Sequence, residues 1–256
     1  MNIFFILVLY FAFYSFVGWF CETIYCSVAK KKVINRGFLN GPFCPIYGFG
    51  ALILILTLSG LKNQVFLLFF SSSIITSTLE YVTSYVMEKV FHAKWWDYSK
   101  KKWNLHGRIC LKNSLLFGVM SVLLIEFLHP IVSNFVYSLS HFTVSLTAIL
   151  LLIYFLIDLS VTVFTILKLN GTLKQLQYFA NSGKTLHEIL SAHQNSISKM
   201  ERAKRLFYKR IFHAFPEIKS IQHSHCLEQL KISIKKEKIK KPNSFWQFKS
   251  GWFHRR

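Results

Sequence analysis

Two acids and two arginines carry the possible chemistry of this chain. Glu22 and Glu80 lie inside apolar runs, Arg36 stands between Asn35 and Gly37, and Arg108 follows Gly107. A carboxylate in hydrocarbon is costly by roughly 3 kcal/mol, so such acids face protein or water. An arginine grips a carboxylate or phosphate through two parallel hydrogen bonds. Arg36 or Arg108 can therefore meet Asp97 or Glu88, or clamp an anion. On a 3.6-residue period Tyr14, Gly18, Glu22 and Tyr25 share one face, while Thr76, Glu80, Ser84 and Glu88 form a polar stripe. Two readings stay open for these acids: ion pairs or tyrosine bonds that hold a bundle, or a ligand site in which Glu80 or Asp97 serves as acid or base. Glu126 and Asp158 also lie in apolar runs, Glu126 near one rim.

The stretch VINRGFLNGPFCPIYGFGA, residues 33–51, adds constraint to this chemistry. Pro42 and Pro45 fix φ and remove two backbone donors, which suits the first turn of a helix. Gly48 and Gly50 make a small-x-small step that lets helices approach closely. One reading is a plain helix start, and the other is a partly unwound element lining a cavity, where protein or water satisfies its backbone. In the second reading residues 35–48, with Gly41 and Gly48 allowing close approach, form a shaped polar rim with residues 88–114, which hold Trp95, Trp96, Trp103 and Asp97. The three tryptophans suit the headgroup level of a bilayer.

The elements that must position these groups are apolar helices. The chain has 256 residues, is 52% hydrophobic with 26 Phe, and carries a formal charge of +20. The two properties separate, since residues 168–256 hold 19 of the 31 Lys and Arg. Spanning a bilayer takes about 20 apolar residues, and five runs qualify: 3–28, 43–61, 65–87, 113–132 and 144–167. The expected fold is an all-α membrane protein, a five-helix transmembrane bundle over residues 1–167 with a basic, partly helical C-terminal cytoplasmic tail at 168–256. The first run lacks a basic leading region and holds Glu22 where a small-residue cleavage site belongs, so it reads as a span. Lys30, Lys31, Lys32 and Arg36 fill the first loop, Lys62 alone the second, and seven basic residues from Lys89 to Lys112 the third, while the fourth has none. The inside-positive rule then places the N-terminus outside and loops 1 and 3 and the C-terminus inside.

The five cysteines show no zinc spacing and the reducing cytosol favours free thiols, so no metal and no cofactor is expected. In the tail, Leu169, Leu173, Leu176, Ala180, Gly183, His187 and Leu190 make a weak heptad-like stripe, suited to a helix on the inner leaflet or against a partner. The end, KKEKIKKPNSFWQFKSGWFHRR, mixes basic residues with Trp246, Phe248, Trp252 and Phe253. That mixture fits anionic lipid better than nucleic acid.

The segments FYSFVGWFCETIYCSVAKKKVINRGFLNGPFCPIYGFGA, LEYVTSYVMEKVFHAKWWDYS and NLHGRICLKNSLLFG resemble the bacterial ABC-transporter type IV permease family, densely over residues 10–118. The stretch RLFYKRIFHAFPEIKS in the tail is similar to it more weakly. The resemblance implies an integral membrane protein of the bacterial inner membrane. It singles out Glu22, Asn35, Arg36, Tyr47, Glu80, Asp97, Tyr98, Asn104 and Arg108 as site residues, with Gly37, Gly41, Pro42, Pro45, Gly48, Trp96 and Gly107 as shaping residues. It brings no catalytic role. The chain has no GxxxxGK[ST] loop, so an ATPase would be a separate subunit, and five helices imply a homodimer if they are to enclose a path. The expected function is a permease subunit with a polar site near the cytoplasmic rim. The alternative is a membrane enzyme or headgroup binder acting on a phosphate-bearing ligand.

Overall fold

The apolar runs become helices whose lengths differ from the expected ones in instructive ways. The computed structural model describes residues 2–31, 34–181, 208, 210–216, 218–221, 224–225, 227–228 and 231–232. Among the described residues α-helices follow one another over the first 181 positions: α1 (Ile3–Lys30), α2 (Pro45–Leu58), α3 (Val65–Phe91), α4 (Leu111–Leu123), α5 (His129–Ser138) and α6 (His141–Asn181). A 3-10 turn, Ser59–Leu61, extends α2, and a π-helical turn, Leu124–Leu128, joins α4 to α5. Short strands β1 (Ala93–Lys94), β2 (Asn104–Leu105), β3 (Ile109–Cys110) and β4 (Lys219–Ser220) pair antiparallel as β1 with β4 and β2 with β3.

Among the described residues four helical stretches are long and apolar enough to cross a bilayer: Ile3–Val28, Val65–Phe91, Leu111–Ser138 and His141–Leu169. Pro45–Leu61 is apolar but shorter than these four. The run expected at 113–132 extends to Ser138 through the π turn. Pro130 lacks an N–H and its ring would strike the carbonyl four residues back, so the widened turn falls where a regular helix would be broken. Side chains such as Phe66, Ile74 and Leu156 point outward, as a hydrocarbon solvent requires.

Glycines set the helix spacing. A Cβ on Gly48 would collide with Ser15 and Phe11 of α1, and one on Gly18 would collide with Tyr47 of α2. Gly118 does the same between α4 and Phe69 and Ser73 of α3. The Gly48–Gly50 step serves two neighbours, since Gly50 faces Leu79 of α3.

Helix α6 runs on past Leu169 to Asn181, and the reason is a second core. Ile166, Leu169 and Leu173 pack with Phe91, Trp95, Ile211, Phe215, Ile218 and Leu227, so the C-terminal segment folds back onto the end of the bundle that carries loops 1 and 3. Trp95 is therefore not at a lipid surface. It is 4% exposed and meets Phe215 edge-on at 4.9 Å, whereas Trp103 is 81% exposed. Of the expected tail features, Gly183, His187 and Leu190 of the stripe, and Trp246, Phe248, Trp252 and Phe253, lie outside the described residues.

Candidate functional site

Loop 1 is shaped by one acid of α6. Asp158 is buried and accepts from the backbone amides of Asn40 (2.9 Å) and Gly41 (2.8 Å), while the Asn40 side chain donates to Thr162 at 3.1 Å. Tyr154 and Thr162, one turn to either side of Asp158, donate to its oxygens. Gly41 must lack a Cβ here, because the atom would occupy the place of the Tyr154 hydroxyl. Pro42 sits at the centre of a three-residue turn closed by the Phe43 amide on the Gly41 carbonyl at 2.9 Å; its fixed φ suits that turn. The Cys44 amide then donates to the Ser15 carbonyl of α1, and Pro45 opens α2 at a position where a missing donor is harmless.

The loop presents Arg36 to α1. Its Nε lies 3.2 Å from Glu22 Oε1, its Nη1 donates to the Ala214 carbonyl at 2.8 Å, and its guanidinium covers the Phe215 ring. Burial opposes the Arg36 charge most strongly, but Glu22, with Cys26 and Tyr98 adding to it, raises the pKa. Asn35 Oδ1 accepts from Trp19 Nε1 at 2.7 Å and from the Gly37 amide at 3.1 Å, which turns the chain toward Glu22. Arg210 of the C-terminal segment donates to the carbonyls of Gly37, Phe38 and Leu39.

Glu22, Cys44, Tyr47, Glu80 and Tyr98 converge beside this pair. Glu80 Oε1 accepts from the Tyr98 hydroxyl at 3.2 Å, and Cys44 lies 3.8 Å from Glu22 Oε2. Tyr47 fills the notch left by Gly18 and lies within electrostatic reach of Glu22, Cys44, Tyr98 and Glu80. Burial, then the Glu80 charge, pushes the Tyr98 phenol far above its ordinary value, so Tyr98 serves as a hydrogen-bond donor to Glu80.

Loop 3 completes the rim. Asn104 Oδ1 accepts from the Gly107 amide and its Nδ2 donates to Lys101, which closes the β2–β3 turn. Gly107 has φ +69, and a Cβ there would press on Ser99 and Asp97. Trp96 Nε1 donates to the Arg108 carbonyl at 3.0 Å. The Arg108 side chain pairs with Glu88 at 2.8 Å and lies over the rings of Tyr81 and Tyr85. Asp97 accepts from Ser99 and from Lys219 of β4 at 2.8 Å; the Lys219 bond, then Ser99, holds its carboxyl far below the usual carboxylate range.

The two arginines thus take different acids, Glu22 and Glu88, and Asp97 takes a lysine. The structure gathers Glu22, Arg36, Tyr47, Glu80 and Tyr98, and gives Asn35, Gly37, Trp96, Asn104 and Gly107 the work of shaping loops. Sequence reasoning left Asp158 without a role and passed over Asn40, Thr162, Arg210 and Lys219. Tyr154, Asp158 and Thr162 at four-residue steps were a readable polar stripe, whereas Arg210 and Lys219 lay in the stretch RLFYKRIFHAFPEIKS, whose resemblance to the family singled out neither. Among the described residues no group of three or more His, Cys, Asp and Glu is placed to hold a metal ion.

No curated protein and no solved structure matches the chain. The family model described as "Putative ABC-transporter type IV" matches residues 9–163, more than half of the chain, and the chain belongs to that family.

Proposed function

We propose that the chain is the membrane-spanning permease subunit of a bacterial transporter. Its polar site at the loop end is formed by Glu22, Arg36, Tyr47, Glu80 and Tyr98. Family membership and four membrane-length helices support the transporter reading. The observation that carries the site is the meeting of two distant loops on two intramembrane acids: Arg36 of loop 1 on Glu22 and Tyr98 of loop 3 on Glu80. In this reading α2 is a short fifth span, and the N-terminus lies outside with loops 1 and 3 and the C-terminus in the cytoplasm. An ATPase joins as a separate subunit, two copies enclose the path, and the last basic residues rest on anionic lipid. The test is complementation of a deletion strain, with membrane abundance measured alongside. Arg36→Ala and Arg36→Lys should both fail at normal abundance, and full complementation by Arg36→Ala would sink the site. Cysteines at Asn63 and Ser140 should label from outside and one at Ser99 only after permeabilisation; external labelling at Ser99 reverses the orientation.

One observation favours the headgroup-binding alternative. Arg108 Nε and Nη1 are covered and have no hydrogen-bond partner among the described residues, which suits a phosphate reached by rearrangement of the rim. Phospholipid retained by the purified protein and lost in Arg108→Ala would support it.

A further inference from the structure

Glu80 has one unmet requirement. Its Oε1 accepts from Tyr98, whereas Oε2 is covered on every side and has no partner among the described residues; the residue as a whole is 7% exposed. The groups around it are Glu22 on α1, Tyr47 on α2 and Tyr98 in loop 3, with Arg36, Cys44 and Cys110 beyond them. Glu22 is a like charge. The nearby guanidinium, Arg36, is already shared between Glu22 and the Ala214 carbonyl. An ionised Glu80 would combine burial, a repelling neighbour and a bare oxygen, three separate costs.

We infer that Glu80 carries an exchangeable proton on Oε2, so that the loop-end site binds a proton. A metal ion or an ammonium group needs room and several oxygen partners, while a covered carboxyl oxygen accommodates a proton with no rearrangement. Oε1 is then the carbonyl oxygen that Tyr98 bonds, and Oε2 is the hydroxyl. Release breaks the Oε2–H bond and gives the proton to a water molecule as hydronium, leaving a carboxylate beside Glu22. That carboxylate repels Glu22, the partner of Arg36, which also holds Ala214, so the proton biases the contact between loop 1 and the C-terminal segment. The use of the proton in transport rests on the permease reading; its presence on Glu80 does not.

Infrared spectroscopy of the full chain in lipid vesicles, with isotope-labelled glutamate, tests this. The wild type should show the carbonyl band of a protonated carboxyl group, and Glu80→Gln should remove it. Transfer to heavy water should shift the band, since the proton exchanges. Tyr98→Phe should keep the band and move it to higher wavenumber, since the carbonyl loses its hydrogen bond. No band in the wild type, a band indifferent to Glu80→Gln, or a band that ignores heavy water overturns the inference. Should Glu80→Gln misfold, Tyr98→Phe decides instead, and a band unmoved by it counts against Glu80. None of these readouts needs a transported solute, so the proton and the permease reading can fail separately.

Discussion

The two ends of the helical bundle solve different problems. At the loop end Glu22–Arg36, Glu88–Arg108 and Asp97–Lys219 are ion pairs, and Asp158 holds two backbone amides of an irregular loop. At the opposite end hydroxyls and an imidazole make the contacts between helices: Tyr10 donates to Ser133 at 3.1 Å, and Tyr14 lies 3.0 Å from His129 Nδ1. Glu126 there accepts the Asn63 amide, and among the described residues no ion pair sits at that end. Where backbone leaves the helix at membrane depth its donors need strong acceptors, and a buried carboxylate supplies two. Where helices continue, weak side-chain bonds suffice.

The comparison breaks first at Asp158. Asp158→Ala leaves the Asn40 and Gly41 amides without their acceptor and should destabilise the protein by about 3 kcal/mol, read as thermal unfolding in detergent. A loss under about 1 kcal/mol would mean that loop 1 is held elsewhere. Next, Gly48→Ala drives a Cβ into Ser15 and the α1 backbone, with an expected loss of about 1–3 kcal/mol. At the opposite end, Ser133→Ala should cost no more than about 1 kcal/mol; a loss matching that of Asp158→Ala would erase the contrast between the ends.

Smallest of all is Lys219→Ala, since Lys219 is 60% exposed and such pairs contribute under about 1 kcal/mol. Its signature is pH dependence. Asp97 is depressed in the folded state, so its stabilisation is present above the ordinary carboxylate value of about 4 and is lost as pH falls toward the folded value. Without Lys219 the folded value lies closer to the ordinary one, so less stabilisation is there to lose and the fall below about pH 4 should be smaller. Melting curves from about pH 6 to pH 3 that coincide for both proteins would remove Lys219 as the cause.

Glu22 was legible as an acid that needs a partner, because it lies in an apolar run, and Arg36 as a guanidinium set beside glycine, but which acid each arginine takes was not. The helices were legible from apolarity alone, although Pro130 hid the π turn that carries α4 on to Ser138. Trp95 was misplaced because a tryptophan beside lysines looks alike at a headgroup and in a small core. Only the C-terminal segment, distant in sequence, decides between the two. Arg210 was illegible for the same reason: its partners are backbone carbonyls, which every sequence contains.

The bond between Arg36 and Ala214 joins residues that leave the ribosome far apart in time. All of α1 to α6 is synthesised before Ala214 appears, so loop 1 waits through insertion with Arg36 held from one side alone. The Gly37–Leu39 carbonyls that Arg210 caps stay open to water for that interval. The contacts that complete loop 1 therefore become available only once the segment holding Arg210 and Ala214 has been made.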